Sequence, residues 1–184
     1  MYNESHIIEK CKAQDRVGQK TLYDKYAPLF FSISLRYIKQ RPAAEDVMIE
    51  SFYRIFNKID QYNGKGSFEG WMKRIVINEC LMYLRKNNNM KMHVELEKAH
   101  GVSESANILS NISFNEIVEL LQQLPAGYRT IFNLYVIEGY KHREIAEELG
   151  ISINTSKSQL ILAKKRLKAL YKKKHNYHLN TNQI

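Results

Sequence analysis

The chain has 184 residues, with 28 Lys and Arg against 19 Asp and Glu, a formal charge of +9 and 44% hydrophobic residues. That length supports one large or two small domains, and the positive balance suits a polyanionic partner without saying anything about fold. Cys11 and Cys80 are too few for a disulfide framework or a four-ligand zinc site, so both read as reduced thiols, Cys80 inside a buried helix.

Only three prolines and eight glycines punctuate the chain, and no run alternates as a strand would. The fold class is therefore all-α. The N-terminus is charged from the start and reads as no secretory signal, and no apolar run approaches the roughly 18 residues that span a bilayer. A cytosolic protein is expected.

Residues 5–11 and 19–26 read as helices, the second with Leu22, Tyr23 and Tyr26 at helical spacing. Pro28 is tolerated in a first turn, so 27–38 is expected to begin a new helix that buries Leu29, Phe30, Ile33, Ser34 and Tyr37. Pro42 opens the next, with Glu45 and Asp46 expected in its first turn, where they would favour the helix dipole. Val47, Phe52, Ile55, Phe56 and Ile59 supply its apolar side. Asp46 and Glu50 share a face, and a like-charged pair at that spacing costs a few tenths of a kcal/mol unless a basic partner stands opposite. Spacing alone leaves two readings equal: a docking surface for a basic element, or a solvated acidic face.

Residues 60–70 read as a loop, punctuated by Asn63-Gly64 and Gly66-Ser67 and carrying Tyr62 and Phe68. The helix 71–86 follows, with Met72, Ile75, Val76, Met82 and Tyr83 near its buried side and Lys73, Arg74 and Asn78 on an exposed flank. An aromatic loop before a basic helix suits single-stranded nucleic acid, where rings stack on unpaired bases for roughly 1–3 kcal/mol each. Phe68 and Trp71 also read as core anchors, and for Trp71 that is the favoured reading. Residues 87–112 are Asn- and Ser-rich and locally acidic, a linker in which His93 and His100 lack the further ligands a metal site needs. No metal and no cofactor is expected.

Residues 113–124 resume an amphipathic helix through Phe114, Ile117, Leu120, Leu121 and Leu124, interrupted by Pro125; 128–138 is the next, ended by Gly139. Then 141–171 reads as two helices joined at a glycine. The first, 144–149, turns Ile145, Ala146 and Leu149 inward and stops at Gly150. Ser152 or Asn154 can cap the second. In it, positions 156, 160, 163, 167 and 170 form an inward stripe, apolar except for Ser156, and the opposite face carries Asn154, Lys157, Ser158, Ile161 and Lys164. This is the pattern of a helix-turn-helix, whose second helix enters the major groove. After residue 149 there is no acidic residue, while Lys157, Lys164, Lys165, Arg166, Lys168 and Lys172 to Lys174 are cationic. The tail from Lys172 reads as basic, then polar and frayed. An ordinary αα-hairpin with a solvated basic face is the bland alternative.

Three functions compete on these residues. One is a dissociable specificity subunit; another is an autonomous repressor or activator, since the same helix pair would serve. A third, an enzyme acting on nucleic acid, finds no phosphate loop, no His-x-Glu with paired Cys and no acidic cluster in the basic regions.

Over nearly its whole length the chain resembles the extracytoplasmic-function (ECF) sigma factors of bacterial RNA polymerase. The residues that carry the likeness are LYDKYAPLFFSISLRYI, AAEDVMIESFYRIF and IDQYNGKGSFEGWMKRIVIN with YLRK, which look like sigma region 2. LPAGYRTIFNLYVIEGYKHREIAEELGISINTSKSQL with AKKRL looks like region 4. The resemblance implies a region 2-like domain over 1–90, a linker over 91–112, a region 4-like domain over 113–174 and a polar tail over 175–184. It implies that Glu45, Asp46 and Glu50 dock on the polymerase core, and that Tyr62, Asn63, Lys73, Arg74 and Asn78 open and read the minus-10 element. It also implies that Asn154, Thr155, Lys157, Ser158 and Lys164 read the minus-35 element. The linker would thread the polymerase cleft, an anti-sigma factor is an expected partner, and no small-molecule substrate is. Four positions depart from the family's usual pattern: Ile49 where Gln is common, Lys141 for a Ser or Thr cap, Leu162 for Arg, and Ser156 for an inward Val. The last predicts a looser helix pair.

Overall fold

The computed structural model describes residues 3–87 and 114–181, and every regular element among them is helical. Two compact units divide the chain, Met1–Asn87 and Asn88–Ile184. The linker reading, with His93 and His100, lies outside the described residues. Among the described residues no helix is long and apolar enough to cross a membrane.

In the first unit α1 (Glu4–Lys12) is capped by Asn3. Asp15 then caps α2 (Arg16–Tyr37), its Oδ1 accepting from the Gly18 N–H at 2.7 Å. A Cβ at Gly18 would stand 2.5 Å from Lys10 Cβ, so α1 and α2 meet closely only because that position has no side chain. The two helices expected over 19–26 and 27–38 are in fact one, with Pro28 inside it. Pro28 is exposed, so the helical carbonyl that loses its N–H partner there can be met by water.

Helix α3 (Arg41–Lys58) has Pro42 in its first turn, as expected, but no acidic residue there: Glu45 and Asp46 fall one turn later, and the dipole argument for them does not apply. A 3₁₀ turn (Ile59–Gln61) follows. Then α4 (Phe68–Lys86) begins three residues before the expected start, because Ser67 accepts from the Gly70 N–H at 3.2 Å and draws Phe68, Glu69 and Gly70 into the helix. Leu22, Phe30, Tyr37, Ile55, Phe68, Met72, Val76, Cys80 and Leu81 are fully buried between α2, α3 and α4. Each such large apolar side chain contributes about 1.5–3 kcal/mol relative to exposure. Met82, expected near the buried side, is 46% exposed, and Ile77, Leu81 and Leu84 take that side instead. Tilted rings tie α2 to α3: Phe30 lies 5.1 Å from Phe52, and Tyr23 lies 4.7 Å from Phe52. Both cysteines are buried thiols outside any disulfide, and burial with Asp15 nearby pushes the Cys11 thiol up to about 11, which leaves it inert.

In the second unit α5 (Phe114–Gln122) leads through Pro125 into α6 (Ala126–Phe132). The buried Arg129 donates from Nη1 to the Leu124 carbonyl at 3.2 Å, covering the chain end of α5; burial lowers its pKa to about 10. The single helix expected over 128–138 changes character halfway. Residues Asn133–Ile137 form a wide π turn, closed by the Glu138 N–H on the Asn133 carbonyl at 2.9 Å, and Gly139 leaves it at φ +78. Helix α7 (His142–Leu149) ends at Gly150, left-handed at φ +65. Helix α8 (Ile153–Thr181) packs on α5, α6 and α7. It continues well past Lys172, where a frayed tail was expected. Lys174 Nζ sits 2.7 Å from Glu119 Oε2 and His175 Nε2 sits 3.0 Å from Glu116 Oε1, so the added turns are tied to α5.

Candidate nucleic-acid interface

The pair α7–α8 is built by its caps. Glu144 Oε2 accepts from the Lys141 N–H at 2.7 Å, and since an ammonium has no lone pair the other half of a capping box cannot form. Gly150 supplies the left-handed stop, and Ser152 Oγ accepts from the Thr155 N–H at 2.9 Å to start α8. Of the two cap candidates read from the sequence, Ser152 is the one used. Below that turn Ile145, Leu160, Ala163 and Leu167 are buried, and Leu162 joins them, packing where an arginine would have to reach out.

Asn154 and Lys157 are exposed at the start of α8, and Ser158 and Lys164 are half-exposed. The Thr155 hydroxyl lies 2.8 Å from Ser152 Oγ and the Ser158 hydroxyl donates to the Thr155 carbonyl at 3.1 Å. Both hydroxyls are thus engaged locally, while Asn154 and Lys157 keep their polar groups for an outside partner. Ser156 is fully buried, and its Oγ lies 2.9 Å from Nδ1 of His142. At this position a hydrogen bond takes the place of the methyl packing that an inward Val would supply. Sequence reading missed His142, although a hydroxyl in an otherwise apolar stripe is itself a signal, since buried polar groups nearly always have partners.

In the first unit the aromatic rings of the loop are packed together, while residues 63–67 are exposed. Tyr62 donates its hydroxyl to the Gly66 carbonyl at 2.8 Å, and its ring lies 4.9 Å from Phe68 and 5.6 Å from Trp71. Phe68 is wholly core, and Trp71 is half-exposed at the edge of the cluster. Asn63 is exposed, its Oδ1 accepting from the Lys65 N–H at 3.0 Å. On α4 Lys73 is held by Glu69 at 2.6 Å. Arg74 and Asn78, one turn apart, are exposed and have no ion pair or hydrogen bond among the described residues. The structure therefore brings Arg74 and Asn78 together on a bare flank of α4 below Trp71.

The acidic face of α3 is partly neutralised. Glu45 lies 3.4 Å from Arg41 Nε, and Glu50 lies 3.3 Å from Arg54 Nε. Arg54 is shared with Glu79 of α4 at 2.7 Å, and Glu79 is buried, with desolvation raising its pKa against the pull of Arg54. Asp46 has no ion pair among the described residues. Ile49 and Tyr53 project beside it, 57% and 63% exposed. No signal in the linear sequence marked the Arg54 bridge, because it joins residues on two different helices.

Known families match both units. A Sigma-70 region 2 model matches residues 22–90, and a Sigma-70, region 4 model matches residues 114–167. The two matches define a transcription initiation factor of the sigma-70 class. Among curated relatives, the ECF RNA polymerase sigma factor SigE of Mycolicibacterium smegmatis is 27% identical over 160 residues, 84% of this chain and 62% of that one. The ECF RNA polymerase sigma factor SigM of Bacillus subtilis is 27% identical over 154 residues, 82% of this chain and 93% of that one. A solved structure, the sigma factor RpoE of Bartonella quintana in complex with the anti-sigma factor NepR, shares the fold with TM-score 0.53 at 20% identity, covering 83% of this chain and 96% of that one. The chain belongs to the ECF sigma factors. Sigma factors are non-catalytic, and this one is no enzyme.

Proposed function

We propose that the chain directs core RNA polymerase to its promoters through three surfaces, each with its own contact. The observation that carries this reading is the start of α8: a capped helix-turn-helix with Asn154 and Lys157 exposed and no acid from there to the end of the chain. Asn154, Thr155, Lys157, Ser158 and Lys164 face the minus-35 duplex, the Asn154 amide towards base edges and the lysines towards phosphates. Arg74 and Asn78, with Tyr62, Asn63 and Lys73, hold the opened minus-10 strand, the bare pair making first contact and Lys73 exchanging Glu69 for a phosphate. Asp46, Glu45 and Glu50 dock on a basic element of the polymerase core. The region 2-like domain is assigned to 1–90, the linker to 91–112 and the region 4-like domain to 113–174. The protein works in the cytoplasm, where promoters and polymerase are, and an anti-sigma factor is a further partner.

Run-off transcription with purified core polymerase on promoter fragments of the source genome tests the reading. Promoter-specific transcripts are expected only when the protein is added; none from any fragment would overturn it. Tight specific binding to a palindromic duplex without polymerase is the result an autonomous regulator would give. In the same assay Lys157→Glu is expected to weaken minus-35 binding by about 1–3 kcal/mol, because repulsion replaces attraction beside the phosphates, while affinity for core polymerase stays unchanged.

A further inference from the structure

Three elements meet on the ring of His142. Its Nδ1 lies 2.9 Å from the hydroxyl of the fully buried Ser156, in the first turn of α8. The ring stacks on Tyr135 of the π turn, centroids 4.3 Å apart and planes at 24°. The ring belongs to the first residue of α7 and is half-exposed, and its Nε2 has no hydrogen-bond partner among the described residues. A half-buried imidazole with one nitrogen committed and one open stands beside the helix that the groove is to receive.

We propose that this clasp makes duplex binding by α8 proton-linked: the open side of the His142 ring takes up a proton as phosphates arrive and adds its charge to those of Lys157 and Lys164. The inference rests on the reading of α8 as the groove-entering helix. The groups around the ring are few. From α8 come Ser156, Lys157 and Lys164; from the π turn comes Tyr135. From α7 and its cap come Lys141, Arg143 and Glu144, of which Arg143 is paired with Glu147 at 3.2 Å and Glu144 is held by the Lys141 N–H. Burial first, then Lys157 and Lys164, hold His142 below the ordinary histidine value.

Phosphates oppose the effect of those two lysines and stabilise the imidazolium. In that form Nδ1–H donates to Ser156 Oγ, which a hydroxyl can accept as readily as it donates, so the clasp persists through protonation. Between the depressed value of the free protein and the raised value of the complex, binding takes up a proton. Affinity then rises as pH falls through that window, by at most about tenfold per pH unit for one proton.

The test is fluorescence anisotropy of the full-length chain with a short mixed-sequence duplex at fixed ionic strength, from mildly alkaline to mildly acidic pH. Wild-type affinity is expected to rise several-fold on acidification, and His142→Gln, which keeps hydrogen-bonding atoms but does not titrate, is expected to lose that rise. Coincident pH profiles for the two proteins would overturn the proposal. Should His142→Gln melt below wild type, the ¹⁵N titration of the wild-type imidazole decides: added duplex is expected to move its midpoint upward, and an unmoved midpoint overturns the proposal. Lys157→Glu separates the two levels of inference. If it leaves duplex affinity intact, the groove reading of α8 fails; if it weakens binding while the wild-type and His142→Gln profiles coincide, the clasp alone fails.

Discussion

Replacing Asp46 and Glu50 together by lysine is expected to lower affinity for core polymerase a hundredfold or more, about 3 kcal/mol, since truncating one partner of an interfacial charge pair costs about 2–5 kcal/mol and reversal adds repulsion. Asp46 is exposed and has no ion pair among the described residues, so its charge is offered outward. Glu50 is different: it shares Arg54 with the buried Glu79, 3.3 Å and 2.7 Å away. A lysine at 50 turns that contact into repulsion and leaves Arg54 to Glu79 alone, so the pair that carries the larger desolvation penalty is kept. The side chains at 46 and 50 are exposed, and the fold should melt as before. Surface plasmon resonance with immobilised core polymerase measures the loss; unchanged affinity would refute the docking role of this face.

The second large effect belongs to Phe68. Phe68→Ala empties a site that is 0% exposed and sits against Tyr62 and Trp71 at 4.9 Å and 5.7 Å. Phe→Ala in a core costs about 3–5 kcal/mol, a large share of the 5–15 kcal/mol that holds a domain folded. Thermal unfolding followed by circular dichroism should show the first unit melting early, and, on the proposed reading, promoter opening should be lost at the same time. A variant that melted as wild type yet failed to open promoters would show instead that the Phe68 ring acts on bases.

The sequence made some features legible because they depend on neighbours along the chain. Gly150, Ser152 and the stripe through Leu160, Ala163 and Leu167 follow from cap chemistry and a helical period, and the structure has all of them. The acid-free run after residue 149 needed only counting. Other features depend on the third dimension. Pro28 read as a helix start because a proline removes an N–H, but its place on the exposed side of α2 makes that loss cheap. Gly70 read as loop punctuation, yet Ser67 caps a helix across it. The last turns of α8 read as tail because Lys172 to Lys174 form a charge run, and only Glu116 and Glu119, over fifty residues earlier, give Lys174 and His175 a reason to stay helical. At the candidate surfaces, exposure was largely legible, and the i,i+4 pairs Glu69–Lys73 and Glu50–Arg54 could have been read from spacing, whereas the contacts between helices could not: Arg54 with Glu79, and His142 with Ser156.

The turn at Asn133–Ile137 closes its hydrogen bond over five residues instead of four. One surplus residue in a helix advances everything after it by about 100° of rotation, since an α-helix has 3.6 residues per turn. This surplus works as a phase correction between two otherwise independent helices: it decides which side chain of α6's continuation arrives opposite α7. Removing a single residue from that segment would restore ordinary winding and swing Tyr135 out of line with the imidazole it covers, so α8 would lose a support that none of its own residues provides.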